Sequence, residues 1–207
     1  AKTVSHNLSA VPHCMLLKNY DTSGGTNWIM YHHSLGNTYG MVMSEAEDQD
    51  AQAHYWNDTT PTSLVFTVGD GAQTNGDADG ASIIAYLFSE KQGYSKFGKY
   101  TGNGNADGPF VYTGFRPAWI MIKQTNTNGG HWYIYDNKRG QNELDDHLYP
   151  NITSAEATGD NAIDILSNGF KCRSSNGDTN ASGGTYIYMA FAEAPLVNSN
   201  GVPCNAR

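Results

Sequence analysis

This sequence predicts an all-β fold, a two-sheet antiparallel sandwich built from two copies of one strand pattern. Three observations carry the prediction. The composition is rich in turn-formers and poor in charge, the apolar and aromatic runs have strand length, and one pattern is written twice along the chain.

Composition sets the frame. Charged residues are 15% of the 207, while Gly (23) and Tyr (13) are abundant. An average domain carries about 25% charge. Runs of Glu, Lys, Arg and Ala that would sustain long surface helices are missing. The length suits one large β domain, expected here to span residues 1–207. A chain this long buries enough apolar surface to fold without disulfides or metals. A net charge of −8 and the absence of any basic block argue against a nucleic-acid partner. No stretch approaches the roughly 20 apolar residues of a membrane helix, and the first residues lack a signal-peptide layout. The chain opens on Ala1 without Met, in what reads as the middle of a strand pattern, so a fragment or processed form is expected. Cys14, Cys172 and Cys204 are odd in number and lack zinc-type spacing. Cys14 reads as a buried thiol; the spacing leaves a Cys172–Cys204 bridge open.

The repeat comes next. Val11-Pro12 to Lys18 parallels Arg116-Pro117 to Lys123, and both Pro12 to Pro117 and Lys18 to Lys123 are steps of 105. Each run passes a Gly-Gly turn (Gly24-Gly25, Gly129-Gly130) into an aromatic run, Trp28 to Tyr31 and Trp132 to Tyr135. That is the signature of a hairpin. Ser82 to Glu90 then parallels Thr185 to Glu193, with Phe88 to Phe191 a step of 103. Leu64 to Val68 and Ile163 to Leu166 precede the intervening turns. The repeats are read as residues 3–92 and 109–195, with 196–207 a tail. Gly93 to Gly108 reads as an ordered, aromatic loop bridging them, and Ser44 to Gln52 as one helical turn or a loop. Alternation in strands predicts a core of Met15, Leu17, Trp28, Phe66, Ile84, Tyr86, Phe88, Trp119, Met121, Ile165, Tyr186, Tyr188 and Phe191.

Thr3 to Leu8 with Val11-Pro12 and Met15 to Lys18 resembles the opening of a domain found in tail-fibre and other virion proteins of marine bacteriophages. Asp107 to Pro117 and Tyr186 to Glu193 resemble its middle and closing signatures. The resemblance implies a concanavalin/lectin-like jelly roll at the virion surface. It also implies other virion proteins and further copies of itself as partners, and it brings no catalytic motif.

Candidate chemistry follows from the loops. Glu45, Glu47, Asp48 and Asp50, and Glu143, Asp145 and Asp146, could suggest a glycosidase pair, which needs two carboxylates facing across a cleft. Neither cluster sits on an apolar strand, so both read as solvated loop and a polysaccharide-cleaving depolymerase is the alternative function. Asn75, Asp77 and Asp79 alternate and end in Gly80, as at the start of a Ca²⁺ loop. The closing carboxylate is missing, since the twelfth position is Tyr86. Turn chemistry is the simpler account, and no cofactor is expected. His32-His33, His54 and His131 lack ligand spacing, and no G-x-S-x-G is present. Loop aromatics with Asn and Asp oxygens suit glycans, through ring stacking and hydroxyl bonding. The candidates are Tyr94, Tyr100, Asn103, Asn105 and Asp107, with Tyr55, Trp56 and Tyr149 as further loop aromatics. The expected function is a non-enzymatic surface module of a phage, structural and host-glycan binding.

Overall fold

The structure, a computed structural model, describes residues 1–21, 27–76, 81–139, 146–159, 162–195, 197–198 and 200. Its strands form several antiparallel sheets, with two single-turn helices among the described residues, so the fold is all-β. The chain divides into two compact units, Ala1–Ser89 and Glu90–Arg207.

The first unit holds β1 (Lys2–Ser5), β2 (Cys14–Asn19), β3 (Ile29–His32), β4 (Tyr39–Val42), β5 (Asp50–Ala51), α1 (Ala53–Trp56), β6 (Val65–Val68) and β7 (Ile83–Phe88). A five-stranded sheet runs β5-β4-β3-β2-β7, and β1 pairs with β6. Alternation puts Met15 and Leu17 of β2 inward beside Ile29 and Tyr31 of β3, where they meet Phe66 and Val68 of β6. Each such buried side chain contributes about 1.5–3 kcal/mol. Tyr55 and Trp56 of α1 close the cluster. The Trp56 indole donates to the Tyr39 carbonyl at 2.9 Å. Gly40 is required beneath Tyr55, because a Cβ there would lie 2.5 Å from the ring. The helix stops after one turn at Asn57, whose φ of 50° is left-handed. The helical turn thus falls just past Ser44–Gln52, where Asp50 and Ala51 instead pair with β4.

The second unit holds β8 (Ser95–Thr101), β9 (Phe110–Tyr112), β10 (Pro117–Gln124), β11 (Trp132–Asp136), β12 (Ile163–Leu166), β13 (Gly169–Cys172), α2 (Gly177–Asn180) and β14 (Thr185–Ala192). One sheet runs β11-β10-β14-β8 and the other β12-β13-β9. Both sheets feed one core: Ile120, Ile122, Tyr133, Tyr135, Tyr186 and Tyr188 from the first, and Val111, Ile163, Ile165 and Phe170 from the second. Each unit is therefore sandwich-like.

Strand registers in the two units match. Leu16 faces Tyr86 in β2–β7 and Met121 faces Met189 in β10–β14, and steps of 105 and 103 convert every pair of the first ladder into one of the second. Leu17 faces Ile29 as Ile122 faces Tyr133. Val4 faces Phe66 as Val111 faces Phe170. The counterpart of β6 is consequently β13, not Ile163 to Leu166, which forms β12 outside it.

Two other expectations change. Residues within Gly93–Gly108 form a strand, β8, over Ser95–Thr101. Gly98 is there to make room for a ring, since a Cβ would lie 2.7 Å from the Tyr188 hydroxyl. In β7 the core register is shifted by one: Ile83, Ala85 and Leu87 pack on the cluster, while Ile84 is 37% and Tyr86 47% exposed. Met15, Leu17, Phe66, Met121, Ile165, Tyr186 and Tyr188 are buried, and Trp28, Phe88, Trp119 and Phe191 are half-buried. Cys14 and Cys172 are free buried thiols; Cys204 lies outside the described residues.

Candidate binding site

Tyr94 follows the turn from Lys91 that opens β8, and its ring, 47% exposed, meets Phe191 edge-on at 6.0 Å. Tyr100 points the other way. Its ring stacks on Tyr186 at 4.9 Å, its edge meets Phe170, and its hydroxyl donates to the Thr179 carbonyl at 2.7 Å. Burial pushes that hydroxyl well above the usual phenol range.

The polar groups after β8 hold a turn. The Asn103 Oδ1 accepts from the Asn105 amide at 3.0 Å, and the Asn105 Oδ1 accepts from the Asp107 amide at 2.9 Å. These are successive Asx-turns. Asn180, fully buried, fastens them: its amide donates to Asn103 Oδ1, the Asn105 carbonyl and the Ser174 carbonyl. Asp107 pairs with Lys171 at 2.7 Å, and that hydrogen bond lowers its pKa. Asn103 and Asn105 thus spend much of their side-chain capacity on the backbone.

Asn75 donates to the Gly69 carbonyl at 2.8 Å and occupies the place of Asn180: its amide bonds Gly71 as that of Asn180 bonds Asn176. Asp77 and Asp79 lie outside the described residues. Among the described residues no group of three or more His, Cys, Asp or Glu is placed to hold a metal ion. Tyr55 and Trp56 are core, and Tyr149 packs edge-on against Tyr133 and His147.

The open geometry lies elsewhere. A hollow of about 430 Å³ in the second unit is lined by Glu90, Gln92, Lys96, Tyr112 and Thr113 among others. Tyr112 is 63% exposed on β9, and Phe110, two residues before it on the same face, is also exposed. Gly169 stands opposite Tyr112 across the ladder, where a Cβ would run into the Val111 carbonyl and the edge of the Phe110 ring. Lys96 pairs with Glu90 at 3.0 Å. The sequence carries the signal for this face in the alternation Phe110-Val111-Tyr112, with Val111 turned to the core. A second cleft, about 470 Å³, lies in the first unit between β1 and β7.

A family of domains of unknown function, DUF7483, matches residues 1–195. The chain belongs to this family. The DUF7483 match runs through both units, including β9 and the hollow. Comparison with curated proteins gives no match, and none is found among solved structures.

Proposed function

We propose that this DUF7483 chain is a duplicated, concanavalin/lectin-like module of a phage particle, in a tail fibre or decoration protein, that works by binding a host-surface glycan. The shared strand registers of the two units support the duplication. The likeness of the Thr3–Lys18 and Asp107–Pro117 segments to phage virion domains supports the setting.

The observation that carries the binding reading is Tyr112. An aromatic ring left 63% exposed on a rigid strand, beside a hollow lined with Gln92, Lys96 and Thr113, offers a sugar both a face to stack on and partners for hydroxyls. Among the described residues Glu90 is the one carboxylate lining the hollow, and Lys96 neutralises it. That favours binding over the depolymerase alternative, which needs two opposed carboxylates. Affinity per site is expected near millimolar, a few kcal/mol, with strength gained from many copies on one particle.

Replacing Tyr112 by Ala tests the reading. Solvent-exposed Tyr112 is dispensable for folding, so thermal stability stays unchanged while glycan-array signal and host-cell adsorption fall at least tenfold. Unchanged adsorption by a folded Tyr112→Ala particle would remove the hollow as the binding site.

A further inference from the structure

We infer that the first unit has a docking groove for an extended polypeptide strand of the β8 kind, supplied from outside these residues. The inference rests on the register correspondence and is independent of the glycan reading.

In the second unit, β14 is flanked on both sides, by β10 and by β8. Its counterpart β7 pairs only with β2 among the described strands and ends the five-stranded sheet. The place of β8 is therefore open along Ile83–Leu87, and beneath it lies the 470 Å³ cleft, a volume typical of ligand sites.

The lining of the cleft identifies the occupant. Val4, Phe66, Val68, Ile83 and Ala85 line it. Under the register correspondence these match Val111, Phe170, Cys172, Tyr186 and Tyr188. Tyr186 and Phe170 are the two rings on which Tyr100 of β8 packs. Thr74, at the end of the cleft, matches Thr179, whose carbonyl takes the Tyr100 hydroxyl. The cleft is thus built at the positions that hold a tyrosine in the second unit, and no strand among the described residues fills it.

The ladder fixes how the strand lies. Tyr186 faces Tyr100, Tyr188 faces Gly98 and Ala190 faces Lys96. Carried over by the step of 103, Ile83 faces the incoming tyrosine, and Ala85 and Leu87 face the second and fourth residues before it. Strand addition of this kind draws affinity from main-chain bonds and specificity from alternate side-chain pockets. Ala85 where the second unit has Tyr188 removes the need for glycine in the guest.

The probe is a synthetic peptide of residues 93–103, added to the full chain and followed by amide hydrogen exchange. Saturating peptide is expected to slow exchange of Ile83–Leu87 at least tenfold. Peptide carrying Tyr100→Ala should bind at least tenfold more weakly, and Ala85→Arg in the protein, at the partly buried cleft wall, should abolish the effect while exchange in β2 and β3 stays as in the parent. No slowing at millimolar peptide overturns the inference. So does slowing confined to Thr185–Ala192, which would mean displacement of the resident β8. Slowing that appears without peptide as protein concentration rises would make a second copy of the chain the occupant and overturn the one assigned.

Discussion

Tyr100 offers the sharpest test of whether the segment after Gly93 recognises a ligand or builds the protein. In Tyr100→Phe, the Thr179 carbonyl loses a 2.7 Å bond while the ring contacts with Tyr186 and Phe170 persist. An acceptor left without that partner in the interior costs about 1–3 kcal/mol. Tyr100→Ala removes the ring as well. Aromatic-to-alanine changes in cores cost about 3–5 kcal/mol, and the partly buried position of Tyr100 puts the expected loss near the lower end, about 3 kcal/mol. Chemical denaturation followed by hydrogen exchange in β14 measures both, and the order expected is Ala worse than Phe worse than the parent. Glycan binding by the folded fraction should not change. A Tyr100→Ala protein within about 0.5 kcal/mol of the parent that no longer adsorbs to cells would refute the structural assignment and return Tyr100 to the binding surface.

Three further outcomes are expected. Gly98→Ala places a Cβ 2.7 Å from the Tyr188 hydroxyl and should destabilise the second unit by about 1–3 kcal/mol through overpacking, read as a shift in denaturation midpoint. Burial pushes the Cys172 thiol up to about 11, so the native protein at pH 8 should resist alkylation there and react on unfolding, as mass spectrometry would show. The hydrogen bond from Lys171 holds the Asp107 carboxyl below its ordinary 3.8. A lowered folded-state pKa stabilises above the unfolded value and is lost as pH falls through the folded one. The Asp107 contribution should therefore be intact at neutral pH, begin to fall below about pH 4 and disappear once the folded-state carboxyl is itself protonated. NMR titration of Lys171→Met should move the Asp107 midpoint upward.

Much of the strand plan was legible, because apolar alternation and the paired segments near Pro12 and Pro117 mark β2, β3, β10 and β11 directly. The register in β7 was also legible, from a comparison between the repeats. Tyr186 and Tyr188 face the core, and the same step of 103 points to Ile83 and Ala85, whereas local apolarity favours Ile84 and Tyr86. β8 was hidden because Gly98 and two lysines look like loop chemistry, and the need for glycine comes from Tyr188, ninety positions away. Asn103, Asn105 and Asn75 illustrate a second limit. An amide that bonds a sugar and one that bonds its own backbone are the same in sequence, and only the fold decides which carbonyls come within reach. Tyr112, by contrast, announces its exposure through Val111, its inward neighbour.

Three tyrosine hydroxyls in the second unit converge on the short α2 segment: Tyr100 on the Thr179 carbonyl, Tyr133 on the Asp178 carboxylate, and Tyr186 on the Gly177 carbonyl. Hydroxyls have fixed reach, so α2 cannot slide along the sheet without breaking all three at once. In the first unit Ile29 and Ile83 stand where Tyr133 and Tyr186 do, and the matching turn is held from other directions: Asn19 donates to the Ala72 carbonyl at 3.0 Å, Thr74 to the His54 carbonyl at 3.3 Å and Asn75 to the Gly69 carbonyl at 2.8 Å. The two halves should accordingly differ in how they breathe. The α2 segment should open only with the sheet that carries its three tyrosines, while residues 71–76 should open with α1 and β2, which supply His54 and Asn19. Two sheets built to one register thus fasten their turns differently, one through hydroxyls rising from the sheet and the other through amides and a threonine bonded across to neighbouring segments.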